Sequence, residues 1–301
     1  MTPDFSRLIA RLIDSGFEFV LIGGYTAVTH GASPVTRDLA MPLAAPRILL
    51  ALIGLALGAG ASAATVEKLT VDGKSVTLKV PAQAAAGKAW LWVGEFGGHL
   101  KSLEDGLVAR GWHVVYVSVN NQFGSARAMA TWEKVYAELR AQRGLSARPA
   151  LLGISRGGLY ITAWARRHPD RLSVLYLDNA VCDIRSWPGG FALTRQGKGS
   201  ARDWALYKTE FGFANDDEAK AQSPRPAAGL LPAVKADVLL LSCHGTADQT
   251  VPFEDNAAPV IQLWQDHGGR VKLFPKPGGD HHPHGLPDPK PLIEVLTAEV
   301  Q

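Results

Sequence analysis

The stretch Ala150-Leu151-Leu152-Gly153-Ile154-Ser155-Arg156-Gly157-Gly158 decides how this chain folds. Residues 150–154 form an apolar run of strand length, and 158–168 carry a helical pattern closed by Pro169. Between them sits Gly-x-Ser-x-Gly. A strand that turns at once into a helix forces the serine into strained backbone angles, and only small residues two positions either side let the two elements pass. The hydroxyl of Ser155 then stands above the carboxyl end of its strand, beside a helix N-terminus. Ser155 is the candidate nucleophile.

Working outward, residues 66–71 and 75–80 flank Asp72-Gly73, a two-residue hairpin signal. The runs at 89–93, 112–117, 172–177, 238–241 and 271–274 read as further strands. Helical patterns fill 103–110, 131–143 and 256–267, the first two stopped by Gly111 and Gly144. Strands alternating with helices predict an α/β fold, a mostly parallel central sheet with helices on both faces. The rhythm breaks at 183–232, rich in Gly, Pro and Trp, which reads as a cap over the carboxyl ends of the strands.

A serine hydroxyl needs a base, and the base needs an orienting carboxylate. After a turn of this kind the acid follows the serine in the chain and the histidine follows the acid. Asp248, in Gly245-Thr246-Ala247-Asp248, lies on the loop after a strand and suits the acid; Asp237 lies before that strand, at the wrong end. Of nine histidines, His113 opens a strand, His168 and His267 end helices, and His244 sits beside the acid loop as a structural or pocket residue. His30 lies in the first 40 residues and His99 follows an early strand, so His281, His282 and His284 remain, on the loop after the last strand. His281 is preferred because it directly follows the turn Pro277-Gly278-Gly279-Asp280, with His282 and then His284 behind it. With serine and acid in place these histidines are assigned to proton transfer, and no metal is expected.

From Trp90 onward, these motifs resemble the α/β-hydrolase superfamily, in the branch of secreted carbohydrate esterases and prolyl-oligopeptidase-like proteins. The stretches Asp178-Asn179-Ala180-Val181-Cys182-Asp183 and Ser186-Trp187-Pro188-Gly189-Gly190 add to that resemblance. It implies ester or amide hydrolysis through an acyl-enzyme, with no cofactor. An oxyanion hole then takes the amide of Arg156 and one from Gly94-Glu95-Phe96-Gly97-Gly98-His99, with Phe96 preferred and Gly97 next. Glu95 departs from the usual His-Gly start of that loop. It is read as holding the loop, pairing with Arg156, or binding a polar substrate group. Trp187, with Trp204, Tyr207 and Phe211, is placed in the cap as core or as a stacking surface for substrate. The reading is a serine hydrolase acting on a small or carbohydrate-linked carboxylic ester. A prolyl-oligopeptidase-like serine peptidase and a noncatalytic binding protein on the same fold are its rivals.

Two other segments precede this one. Residues 41–63 carry Arg47, an apolar run from Ile48 to Leu57, and Ala61-Ser62-Ala63, the layout of a secretory signal and shorter than a membrane span. With Met41 as the functional start, residues 64–301 would be periplasmic or secreted, with no stable membrane anchor. Residues 1–40 hold a strand pattern, Gly23-Gly24 and Thr36-Arg37-Asp38-Leu39-Ala40. They resemble the opening of nucleotidyltransferase-like proteins. Ala40 stands where that family has its second metal-binding carboxylate, so the segment reads as a truncated remnant.

Composition narrows the classes. Among 301 residues, 47% are hydrophobic and 20% charged, which excludes a disordered chain. Lys+Arg 31 against Asp+Glu 28 gives +3, too even for a nucleic-acid-binding surface. Two cysteines, Cys182 and Cys243, exclude a disulfide scaffold and allow one bridge or two buried thiols.

Overall fold

The computed structural model describes residues 63–191 and 193–299. The remnant at 1–40 and the signal-like segment up to Ser62 lie outside the described residues. No helix among the described residues is long and apolar enough to cross a membrane.

Eight strands make one sheet in the order β1-β2-β4-β3-β5-β6-β7-β8. β1 (Thr65–Val71) and β2 (Lys74–Val80) form the antiparallel hairpin around Asp72-Gly73. Both turn residues have positive φ, 52° and 69°, the pairing that matches the twist of adjoining strands. β2 lies antiparallel to β4 (His113–Val117). From there β3 (Trp90–Val93), β5 (Ala150–Ile154), β6 (Val174–Asp178), β7 (Leu239–Gly245) and β8 (Val271–Lys276) run parallel with β4. β3, β5, β6 and β7 are buried throughout, as strands covered on both faces must be.

The strand period of two sends alternate side chains to opposite layers. Trp90, Trp92, Leu151, Leu175 and Leu240 join one core with α2 (Ala126–Glu138), α3 (Gly157–Arg167) and α7 (Ala257–Asp266). Leu91, Val93, Leu152, Val174 and Leu241 join the other with α1 (Lys101–Val108) and α8 (Lys290–Glu299). The first core is rich in indoles: Trp92 stacks on Trp132 at 4.1 Å between ring centroids and on Trp90 at 5.1 Å.

The 183–232 insertion contains α4 (Ala201–Phe211) and α5 (Asp216–Gln222), and α6 (Leu231–Lys235) leads out of it. Trp204 and Tyr207 of α4 pack with Phe123, Leu159, Val181 and Val251, so the cap has a core of its own against the N-terminal turn of α3. Its buried base is Arg185. That guanidinium pairs with Asp183 at 2.7 and 2.6 Å and donates to the carbonyls of Lys220, Ser223 and Pro224.

Among the boundaries that differ from the sequence reading, those of α2 and β7 differ most. α2 begins at Ala126, because the Ser125 hydroxyl accepts from the Ala128 amide and caps it. It gives way after Glu138 to a wider π turn over Leu139–Arg143, which ends at Gly144. β7 runs on to Gly245, since Ser242 and His244 are polar yet buried and the strand stays paired with β8. Cys243 therefore lies within that strand, and both cysteines are free and buried. Burial pushes each thiol up to about 12.

Candidate active site

β5 ends at Ile154, and Ser155 takes φ 47°, a conformation few side chains adopt without compensation. The compensation is local. Its amide donates to the Asp178 carbonyl, and its carbonyl accepts from the Gly158 and Val181 amides. Gly153 of the motif and Gly158, one residue past it, are needed for space. A Cβ at Gly158 would lie 2.4 Å from the Val181 carbonyl oxygen, and one at Gly153 would lie 2.8 Å from the Gly158 Cα.

Three strand ends bring Ser155, Asp248 and His281 together. Ser155 Oγ lies 2.9 Å from His281 Nε2, and His281 Nδ1 lies 2.7 Å from Asp248 Oδ2. Asp248 and His281 are buried. The second oxygen of Asp248 accepts from the Thr250 and Val251 amides at 2.8 Å, which fixes the carboxylate's orientation. An ionised carboxylate only accepts, so His281 carries its proton on Nδ1 and turns the Nε2 lone pair toward the hydroxyl. The arrangement can take a proton from Ser155 and hold the resulting imidazolium.

The histidine loop is anchored from β6. Asn179, at φ 41°, donates to the His281 carbonyl at 2.6 Å and accepts from the Gly245 amide at 2.8 Å. Asp280 receives the His281 and Gln249 amides, tying the histidine loop to the acid loop. Of the other two histidines, His282 is exposed, and His284 donates from Nδ1 to Asp178 at 2.9 Å. Asp178 is fully buried and also accepts from Tyr176 and Gly285.

On the opposite side, Phe96 has φ 61°, and its loop follows β3 as Arg156 follows Ser155. Neither the Phe96 nor the Arg156 amide donates to a backbone carbonyl in the described loops. Of the three readings of Glu95, the structure shows the pairing with Arg156. Both its oxygens accept from Arg156, at 2.8 and 2.7 Å, and the residue is buried. Arg156 also reaches Asp203 of α4 at 2.9 Å and lies over the rings of Phe96 and Phe123. Burial opposes its charge, but the Glu95 hydrogen bonds and the charges of Glu95 and Asp203 outweigh it and raise its pKa. The side chain after Ser155 thus clamps the cap to the β3 loop. Trp187 is partly buried against the cap core with Phe191.

Asp178, Asn179 and Asp203 are structural partners that the sequence reading gave no role. For the first two a signal exists: adjacent Asp and Asn closing a wholly apolar strand are costly unless each has a partner. Asp203 has none, because its contact with Arg156 spans 47 positions.

Neither a protein-family model nor a curated protein matches the sequence. Solved structures do. A structure named for a dipeptidyl aminopeptidase IV from Bacteroides ovatus superposes with TM-score 0.56 at 17% identity, covering 79% of this chain and 36% of that one. Est1E from Butyrivibrio proteoclasticus gives 0.52 at 15% identity, covering 77% and 96%. The carboxylesterase Cest-2923 from Lactobacillus plantarum gives 0.52 at 16%, covering 72% and 85%. This chain therefore spans about a third of the Bacteroides protein and nearly all of Est1E. The fold is the α/β-hydrolase fold. The nucleotidyltransferase-like reading of residues 1–40 is not borne out: the neighbours are α/β hydrolases, and those residues lie outside the described ones.

Proposed function

We propose that residues 64–301 are the catalytic domain of a serine hydrolase that cleaves a small or carbohydrate-linked carboxylic ester through an acyl-enzyme. The observation that carries this reading is the continuous hydrogen-bonded chain Ser155–His281–Asp248, with both links under 3 Å. In the proposed cycle His281 removes the Ser155 proton as Oγ attacks the carbonyl carbon. Asp248 holds the imidazole and balances the imidazolium. The Arg156 and Phe96 amides receive the developing oxyanion, and His281 returns the proton to the departing alcohol oxygen. Water then repeats the sequence on the acyl-enzyme and releases the acid. Trp187 would border the acyl or alcohol group from the cap. The reaction as written needs no cofactor.

The likeness to Est1E and Cest-2923 supports an ester substrate, since both superpose over most of their own length. A serine peptidase is the second reading, favoured by the Bacteroides neighbour and by an acylaminoacyl peptidase, of whose lengths this chain spans 36% and 40%. Export to the periplasm or beyond the cell belongs to the same proposal and rests on the signal-like segment at 41–63.

The test is hydrolysis of p-nitrophenyl acetate and butyrate by the protein and its Ser155→Ala variant. Turnover by the parent alone is expected. Near-blank rates in both would turn the search to peptide substrates or to a binding role.

A further inference from the structure

We propose that His281, His282 and His284 form a binding site for a divalent ion of the zinc type, and that its occupancy switches the serine chemistry off. Their ligating nitrogens lie within 4.8 Å of one another, and the three rings stand mutually edge-on with centroids 4.8 to 4.9 Å apart. Tetrahedral zinc holds nitrogens at about 2.0–2.1 Å, which puts them roughly 3.3 Å from each other. Small rotations, chiefly of the exposed His282, close that difference.

A second observation points the same way. His281 and His284 each place Nδ1 on a buried carboxylate, Asp248 at 2.7 Å and Asp178 at 2.9 Å. A carboxylate behind an imidazole fixes the tautomer, frees the Nε2 lone pair and raises its basicity, as in the outer shells of metal-bound histidines. One such pair is accounted for by the proposed serine chemistry; the second is not. The ring of His282 forms no hydrogen bond among the described residues, so its nitrogens are available. Three neutral imidazoles backed by two carboxylates balance a double positive charge. All-nitrogen ligation selects zinc, copper or nickel over magnesium or calcium. Water or the Ser155 hydroxyl would fill the fourth position.

The inhibitory consequence rests on the function proposed above; the binding does not. The His281 Nε2 lone pair that takes the Ser155 proton is the one the ion would occupy. The two states therefore exclude each other, and chelation restores the base.

The experiment titrates the chelator-stripped full chain with Zn²⁺ by calorimetry and with Co²⁺ by visible absorbance. One Zn²⁺ per chain is expected, with the intense bands of tetrahedral Co²⁺. Binding should weaken by about tenfold or more in His282→Ala and in His284→Gln, and persist in Ser155→Ala. Ester hydrolysis, normalised to each variant's own metal-free rate, should fall with Zn²⁺ in the parent and recover with EDTA. It should be far less sensitive in both histidine variants. Absence of stoichiometric binding in the micromolar range, or equal binding by parent and both histidine variants, overturns the site. Metal binding by a chain that hydrolyses no ester would leave the site standing and remove the ester-hydrolase reading. Ser155-dependent hydrolysis without metal binding would do the reverse.

Discussion

Two buried carboxylates, Asp248 and Asp183, each hold a cationic or basic partner, and they do opposite work. Asp183 and Arg185 are two residues apart, and the guanidinium spends its remaining donors on three carbonyls. Nothing is left to react, so the pair holds the base of the cap. Asp248 and His281 come from separate loops, and the imidazole keeps one nitrogen aimed at a hydroxyl. Burial of charge marks both. What would make the proposed pair reactive, and leaves the other a scaffold, is a titratable partner with unspent capacity.

The largest effect is expected where that capacity is removed. Asp248→Asn leaves the shape but offers the wrong hydrogen-bonding face to His281 Nδ1, so kcat for p-nitrophenyl acetate should fall by about 10⁴-fold. The melting temperature should move little by comparison. A variant that keeps a tenth of the parental rate would mean that the chain of hydrogen bonds does not carry turnover.

Asp183→Asn reverses the pattern. It strands a buried guanidinium, a loss of about 3–5 kcal/mol in unfolding free energy. Urea denaturation should show it, with part of the transition confined to the cap. If Asp183→Asn unfolds at the parental midpoint, the Arg185 carbonyl contacts suffice alone. The contrast between the pairs would then lose its stability half.

How far each pair is legible in sequence follows from what encodes it. The serine, the acid loop and the histidine loop were readable because each follows a buried apolar strand, and the strand period fixes where strand ends lie. Ser155 and the turn around it need only nine consecutive residues. The choice among His281, His282 and His284 had no local signal beyond the turn at 277–280; the Asn179 anchor that decides it comes from another strand. The cap was visible only as a break in rhythm. Its helices α4 and α5 are capped by Ser200 and Asn215, residues that a Gly- and Pro-rich context hid. For Glu95 three readings stayed open, because nothing local chooses among them; the pairing with Arg156 spans 61 positions.

Asp203→Ala is the intermediate case. It takes the cap's half of the Arg156 clamp and leaves Glu95 in place. The Asp203 side chain is partly exposed, so solvent screening limits the loss to about 1 kcal/mol. A rise in KM larger than the fall in kcat is expected, since the cap would be loosened while the Ser155 contacts persist. The opposite split would place Arg156 in the chemistry itself.

The smallest effect separates a buried histidine whose Nδ1 meets a carboxylate from one whose Nδ1 meets nothing. His113 opens β4 at the end of the sheet away from Ser155, and its Nδ1 has no hydrogen-bond partner. Burial lowers its pKa below the ordinary 6.5. The unfolded chain therefore binds this proton more readily than the folded one. The neutral ring costs nothing above pH 6.5, and stability is lost as pH falls from there toward the folded-state value. His113→Asn should flatten the fall of the urea midpoint between about pH 7.5 and 5.5 without altering the pH profile of ester hydrolysis. Were the hydrolysis profile to shift as well, the two histidines would be coupled through the sheet, and the partner at Nδ1 alone would no longer distinguish them.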